Sequence, residues 1–346
     1  MDESTLLALL KKGSQYHASD VLLKVGQPPA FRVNGDLHYL QGDKLLPGQT
    51  QALAEIILAK SRFKEPLETL QEFDTSYGAP GIGRYRCNVY RQRGTIAIAL
   101  RAIPLSVPGF DQLRLPPAVA KLAELERGMV LCVGAAGNGK STTLAAMVDH
   151  INRSRRVHVV TIEDPIEYMH HDHFASVSQR EVGIDTPTFA RALRSALRQD
   201  PDVILVGEVR DEETMDIALK AAETGHLVLS TLHTPDVART VGRVLALSPG
   251  GNPQDSRERF ADNLKGIIAQ RLLPRADGTG RVVAVELLIV TGTARETIRR
   301  PEGNLPLKDV MERGVHPYGM QTFEMAMREL VTAGLIDVEV ARAALA

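Results

Sequence analysis

An apolar segment that leads straight into a glycine-rich loop and then into a helix constrains this fold more than any other feature. The apolar segment is Gly128–Val133, and Ser141–Ile151 has helical spacing. The loop matches the phosphate-binding pattern G-x-x-x-x-G-K-[ST] as Gly134-Ala135-Ala136-Gly137-Asn138-Gly139-Lys140-Ser141. The alternative is a glycine-rich turn that contains Lys-Ser by chance, and the flanking strand and helix argue against it. The arrangement therefore predicts a P-loop in an α/β fold.

The loop residues suit a nucleoside triphosphate bound together with a divalent cation. Glycines let the backbone approach a phosphate, and successive N–H groups at a helix N-terminus face the anion. Lys140 supplies a positive charge for the β- and γ-phosphates, and the Ser141 hydroxyl can ligate Mg²⁺. We therefore predict ATP and Mg²⁺ as cofactors. The predicted nucleotide-binding residues are Gly134, Ala135, Ala136, Gly137, Asn138, Gly139, Lys140, Ser141 and Thr142.

Residues from about 118 onward alternate between apolar strands and helices. The further predicted strands and helices of this alternation are Val157–Ile162, Thr188–Arg198, Val203–Val206, Glu212–Glu223 and Leu227–Thr231. Continuous apolar strands separated by helices indicate a largely parallel sheet that is covered on both faces. The last hundred residues have mostly helical patterns, including Arg257–Leu273, with one more strand at Val282–Ile289.

Residues 1–103 have the mixed pattern of a smaller α+β domain. Thr5–Lys12 has helical spacing of leucines with Ser4 as a candidate N-cap, and Asn34-Gly35 is a hairpin turn signal. Residues 104–117 are rich in Pro, Gly and Leu, which is typical of a linker. The predicted organisation is an N-terminal domain at 1–103, a linker at 104–117 and a P-loop ATPase domain at 118–346.

Two acidic residues follow predicted strands at positions that suit hydrolysis. Glu163 comes directly after Val157–Ile162, and Glu208 follows Val203–Val206 by way of Gly207. Ligands of parallel sheets lie beyond the carboxyl ends of the strands, and nucleotide hydrolysis needs a carboxylate for the attacking water and often another for Mg²⁺. Any single acid at a strand end is more often a solvated loop residue. The two together, in a chain with a P-loop, predict a hydrolytic site.

Charge and cysteine content limit the class of protein. The 41 Lys and Arg residues against 42 Asp and Glu argue against a protein whose main task is neutralising nucleic-acid phosphates. The apolar runs fall far short of the roughly 20 residues that a membrane span needs. The two cysteines, Cys87 and Cys132, fit a reduced compartment and are too few for a four-cysteine zinc site. These features predict a cytoplasmic protein.

Four ordered segments resemble the secretion ATPase superfamily, and most of all its twitching-motility PilT/PilU group, the ATPases that drive pilus retraction. Besides the P-loop, these segments are Thr161–Tyr168, Ile204–Asp211 and Thr224–Thr234. Shorter matching segments are Gly83–Asn88, Gln179–Gly183, Leu193–Asp202 and Gly319–Phe323. The resemblance spans nearly the whole chain.

The resemblance implies a PAS-like N-terminal domain, a RecA-like ATPase domain and a homohexamer. It implies that Glu163 is the general base and that Glu208 holds Mg²⁺, through water. It also implies that His226 and His233 sense the γ-phosphate or stabilise this region. Arginines of the N-terminal domain would complete the site, and the candidates are Arg84, Arg86, Arg93 and Arg101. The implied partners are the inner-membrane platform protein of the type IV pilus and a paralogous pilus ATPase. These place the chain at the inner face of the cell membrane, with peripheral membrane contact only.

Departures from the family pattern leave alternatives open. Ala135-Ala136 and Asn138 stand where the family usually has Pro-Thr and Ser, at positions that act mainly through the backbone. The family's C-terminal retraction motif is blurred to Thr293–Arg300. Two cysteines cannot build the four-cysteine zinc module usual in pilus-assembly and type II secretion relatives, which favours retraction over extension. The alternatives are a weakly hydrolysing accessory paralogue and a RecA-like nucleic-acid motor.

Overall fold

Two β-sheets organise the computed structural model, which describes residues 1–33, 35–59, 61–104, 106–248 and 252–345. The strands are β1 (Asp20–Lys24), β2 (Ala30–Val33), β3 (Asp36–Tyr39), β4 (Glu72–Ala79), β5 (Gly83–Gln92), β6 (Thr95–Ile103), β7 (Gly128–Val133), β8 (His158–Glu163), β9 (Ser176–Glu181), β10 (Val203–Val206), β11 (Leu227–Leu232), β12 (Leu264–Pro274) and β13 (Arg281–Ile289). The helices are α1 (Glu3–Gln15), α2 (Pro47–Ala59), α3 (Phe110–Leu113), α4 (Pro117–Ala123), α5 (Lys140–Ser154), α6 (Phe189–Ala196), α7 (Glu212–Glu223), α8 (Val237–Ala246), α9 (Pro253–Asn263), α10 (Gly292–Arg299), α11 (Leu307–Arg313), α12 (Val315–Tyr318), α13 (Phe323–Thr332) and α14 (Val338–Leu345).

The second sheet has seven strands in the order β13-β12-β7-β11-β10-β8-β9. β7 pairs in parallel with β11 on one side and with β12 on the other, and β10 pairs in parallel with β11 and β8. β13 is antiparallel to β12 at one edge. Every residue of β7, β10 and β11 is buried, which is the pattern of strands covered on both faces. The predicted α/β class with a parallel sheet is confirmed.

The first sheet is antiparallel and has six strands in the order β3-β2-β1-β6-β5-β4. Leucines of α1 and α2, such as Leu10 and Leu53, share one apolar core with strand residues such as Val21 and Leu100. The helices therefore bury one face of this sheet.

The chain forms two compact units, and each unit combines segments that are separated in the sequence. The first unit contains Met1–Ser106 together with two later segments, Asp164–Met169 and Glu181–Pro187. The second contains Val107–Glu163, His170–Arg180 and Thr188–Ala346. The domain boundaries given above stay a prediction. None of the helices in the described ranges is both long enough and apolar enough to cross a membrane.

The predicted helix over Arg257–Leu273 is wrong in its second half. α9 ends at Asn263, and Leu264 begins β12, which pairs with β7 and β13. A Cβ at Gly266 would lie 2.7 Å from the Leu122 side chain, so the strand passes directly beneath α4. Pairing with the remote strand β7 on one side and with the following strand β13 on the other outweighs the local helical pattern.

A smaller correction concerns one helix cap. The N-cap of the first helix is Asp2 rather than Ser4, because the Asp2 carboxylate accepts the Thr5 N–H at 3.0 Å. The predicted linker at 104–117 contains the short helix α3 and the first residue of α4. Asn34 of the predicted hairpin turn and Leu105 of the linker lie outside the described residues.

Candidate functional site

The P-loop connects the carboxyl end of β7 to the first residue of α5, Lys140. Gly134, Gly137 and Gly139 have φ angles of 147°, 79° and 83°, in a region that favours glycine. Gly134 also has no room for a side chain, because a Cβ there would lie 2.6 Å from the carbonyl oxygen of Gln270. The sequence therefore needs glycine at this position for both conformation and space.

Lys140 lies at the centre of the loop and is almost fully buried. Its Nζ donates to the carbonyl oxygens of Gly134 and Ala135, at 2.9 Å each. Burial is the main cause that lowers the pKa of the Lys140 ammonium, while nearby Cys132 and Glu208 act in the opposite direction. The ammonium is thus held within the loop, where a phosphate group would meet it together with the amides of the α5 N-terminus.

Side chains that follow the neighbouring strands β11 and β10 continue from Lys140 along the same edge of the sheet. The Lys140 Nζ lies 3.5 Å from His233 Nδ1, and His233 Nε2 lies 3.4 Å from Glu208 Oε2. The other Glu208 oxygen pairs with Arg210 at 2.7 Å. An ammonium can only donate, so Nδ1 faces it as an acceptor and Nε2 carries the proton toward Glu208. The structure thus brings together Lys140, His233 and Glu208.

Gly207 and β11 fix the position of the turn that carries Glu208. The Gly207 N–H donates to the Ile162 carbonyl oxygen at 2.8 Å, and the Thr231 hydroxyl donates to the Gly207 carbonyl oxygen at 2.7 Å. A Cβ on Gly207 would lie 3.3 Å from the Glu163 Cα. A larger residue here would press on the end of β8, which is where Glu163 lies.

Glu163 is the last residue of β8, next to β10 in the sheet. Its Oε1 accepts from the Thr161 hydroxyl at 2.7 Å and from Gln179 Nε2 at 3.2 Å. Two donors on one oxygen fix the orientation of the carboxylate. The β7, β11, β10 and β8 ends that carry Lys140, His233, Glu208 and Glu163 are consecutive in the sheet.

The structure places His226 at the opposite end of the sheet. It precedes the first residue of β11, and its carbonyl oxygen accepts from the N–H of Gly128 at the start of β7. At about 3.3 Å per residue, the seven positions from His226 to His233 put the two histidines roughly 23 Å apart along the strand. His226 Nδ1 lies 2.9 Å from the Ala221 carbonyl oxygen, which ties it to the end of α7.

The four candidate arginines belong to the first unit, and their part in a nucleotide site stays a prediction. Arg84 donates to the Ser76 hydroxyl at 2.7 Å and to the Glu181 carboxylate at 2.9 Å. Arg86 lies 3.9 Å from Glu167, and Arg101 pairs with Asp20 at 2.9 Å. Arg93 occupies the turn between β5 and β6 with a φ of 50°.

Sequence reasoning missed the residues of β12 that support the P-loop. β12 continues beyond its last pairing with β7, Ala269 with Val133, and runs beside the loop. The Leu272 N–H donates to the Asn138 side-chain oxygen at 3.1 Å, so Asn138 takes the place of a missing strand partner. No local sequence pattern reveals that a backbone N–H of β12 binds the Asn138 side chain.

A buried polar chain lies beneath the loop. The Gln270 side chain donates to the Thr143 hydroxyl at 2.8 Å and accepts from the Cys132 thiol at 3.1 Å. Burial raises the pKa of Cys132 to about 12, so it remains a thiol at neutral pH. The Gln270 side chain of β12 thereby joins Thr143 of α5 to Cys132 of β7, just below the phosphate-binding residues.

The donor set at this edge fits Mg²⁺ bound mainly through a nucleotide. Ser141 is exposed in the first turn of α5, and Glu208 presents a carboxylate. Mg²⁺ usually takes one or two protein oxygens together with substrate phosphates rather than a full protein cage. Among the described residues, no group of three or more His, Cys, Asp or Glu could hold a metal ion by itself.

Comparisons with known proteins agree with this geometry. Residues 105–334 match the family described as type II/IV secretion system protein. The type IV pilus retraction ATPase PilT of Pseudomonas aeruginosa is 41% identical over 342 residues, covering 99% of this chain and 97% of the relative. The type IV pilus ATPase PilU of the same organism is 40% identical over 337 residues, covering 97% and 86%.

Solved structures give the same result. A crystal structure of the pilus retraction motor PilT with bound ADP has a TM-score of 0.86 and 43% identity, covering 98% of this chain and 96% of that one. The Legionella pneumophila ATPase DotB has a TM-score of 0.76 and 29% identity, covering 100% and 96%. The resemblance seen in the sequence motifs is confirmed. The chain belongs to the type II/IV secretion system protein family and, within it, to the PilT/PilU group of type IV pilus ATPases.

Proposed function

We propose that the chain is an ATP-hydrolysing motor subunit that drives retraction of a type IV pilus. The observation that carries the proposal is the row of Lys140, His233, Glu208 and Glu163 along the carboxyl edge of the parallel sheet. Nucleotide hydrolysis requires a positive charge in the phosphate loop and carboxylates beyond the strand ends, and here the Lys140 ammonium, Glu208 and Glu163 provide them.

The residues divide the work of hydrolysis to ADP and phosphate. Main-chain amides of Gly134–Ser141 and the Lys140 ammonium bind the phosphates. Glu163 orients a water for in-line attack on the γ-phosphorus and accepts its proton. Mg²⁺, held by Ser141 and through water by Glu208, would neutralise charge on the β- and γ-phosphate oxygens. His233, between Lys140 and Glu208, keeps the two opposite charges at a fixed separation.

The cellular role proposed for the chain extends what its relatives are named for. PilT is described as a pilus retraction motor and a retraction ATPase. By this likeness we assign the chain a homohexameric assembly at the inner face of the cell membrane, where it would act on the platform protein of the pilus. Each hydrolytic cycle would pull pilin subunits out of the fibre.

Two assays test this proposal. Purified protein should hydrolyse ATP with Mg²⁺ and lose the activity in EDTA, because phosphate charge would then be uncompensated. DNA should leave the rate unchanged, whereas stimulation by DNA would favour a nucleic-acid motor.

Deleting the gene should give hyperpiliated cells that do not twitch. Normal twitching in the deletion strain would contradict a retraction role.

The second candidate function is that of an accessory paralogue that hydrolyses ATP poorly and assists a sister ATPase. The nearly equal similarity to PilT and PilU favours keeping it. The distinguishing assay adds the organism's other pilus ATPase to the purified protein. Slow hydrolysis alone that the paralogue restores would identify an accessory subunit, and full activity alone would identify the main motor.

A further inference from the structure

Strand β9 carries a side chain that the proposed mechanism leaves without a role. This side chain is Gln179, which is partly buried and belongs to the segment Gln179–Gly183. Gln179 lies in the second unit, as do Glu163 and His170.

Gln179 binds both Glu163 and the end of the loop that follows Glu163. Its Nε2 donates to Glu163 Oε1 at 3.2 Å, and its Oε1 accepts the His170 N–H at 2.9 Å. A backbone N–H can only donate, so the oxygen of the amide must face His170 and the NH₂ group must face the carboxylate. The loop thus fixes which end of Gln179 meets Glu163.

We propose that Gln179 is a positioning residue that aims the Glu163 carboxylate, a role that rests on the proposed function. Gln179 touches the carboxylate itself, and the His170 N–H fixes the orientation of its amide. Thr161 completes the arrangement as the second donor to Glu163 Oε1. None of these residues belongs to the phosphate loop, so they affect turnover rather than nucleotide binding.

Two substitutions of Gln179 test the proposal in the purified full-length protein. Gln179→Leu removes the donor at similar volume, and kcat should fall about 10-fold to 100-fold while the Kd for ADP is unchanged. Gln179→Glu places a carboxylate against Glu163. Two carboxyl groups in contact release their second proton at higher pH, so the acidic limb of the kcat profile should move up by about one pH unit or more. A residue that only supports the fold would not move this limb.

A matched control completes the test. Gln199→Glu adds the same charge at a glutamine whose Nε2 donates to the Ser195 hydroxyl at 3.3 Å, and the acidic limb should stay in place. Gln179→Glu has the shape of the wild-type residue and carries the test if Gln179→Leu does not fold.

The outcomes separate this inference from the proposed function. If the wild-type protein does not hydrolyse ATP, both are overturned. If wild type is active and Glu163→Gln is not, but Gln179→Leu has kcat within about twofold of wild type and Gln179→Glu leaves the acidic limb unmoved, only the positioning role is overturned. A shifted acidic limb of the kcat profile in Gln179→Glu, with an unchanged Kd for ADP, supports the positioning role.

Discussion

Replacing Glu163 with glutamine is expected to lower kcat for ATP hydrolysis at least about 100-fold while changing the Kd for ADP less than about threefold. Glutamine keeps the size of the side chain and an oxygen that can accept from the Thr161 hydroxyl. It cannot accept a proton from water. The phosphate loop follows β7, three strands away from β8 in the sheet, so binding should persist. Steady-state kinetics and ADP titration measure the two quantities.

Glu212→Gln is the matched control for this substitution. Glu212 is an exposed residue in the first turn of α7, and removing its charge should leave both kcat and Kd unchanged. Turnover at the wild-type rate in Glu163→Gln would mean that another group activates the water, and our assignment of the base would be wrong.

Replacing Lys140 with methionine is expected to weaken nucleotide binding by about 100-fold, since hydrogen bonds to charged groups contribute about 1.5–3 kcal/mol each. Methionine keeps the length of the stem but has no ammonium for the β- and γ-phosphates. The substitution also removes the donor that binds the carbonyl oxygens of Gly134 and Ala135, so the loop loses its internal contacts. The Kd for ADP and for ATP, measured by calorimetry, gives the result.

Lys121→Met controls for the loss of a positive charge elsewhere in the same unit. Lys121 is exposed on α4, and its replacement should leave nucleotide affinity unchanged. If Lys140→Met bound ATP as tightly as wild type, the main-chain amides would suffice for binding and the ammonium would have no role in it.

The parallel sheet was predictable because its central strands are short apolar runs with clear ends. Gly128–Val133 and Val203–Val206 have the same bounds in the sequence pattern and in the structure. Strand β12 was not predicted, because its parallel partner β7 is remote in the chain and Leu264–Pro274 is apolar enough to fit a helix as well. β9 was missed for a related reason: its residues are mostly polar and only partly buried, so they show neither strand nor helix periodicity.

Some residues of the candidate site were likewise predictable from the sequence, and others were not. Lys140 and Glu208 could be found because strand ends and a glycine loop mark them locally. His233 required the family resemblance, and the same resemblance pointed to His226, which lies at the other end of β11. Gln179 and Gln270 were not predicted, because their hydrogen-bond partners Glu163 and Thr143 are 16 and 127 positions away in the sequence. A side chain whose role is set by such distant contacts has no local signature.

A crystal structure with Mg²⁺ and a non-hydrolysable ATP analogue tests the role of Glu163 most directly. We expect its carboxylate to lie within about 2.6–3.2 Å of a water that is in line with the γ-phosphorus, in at least one subunit state. The role would be contradicted by a Glu163 side chain remote from the γ-phosphate in every subunit, with no acidic residue of another protomer in its place.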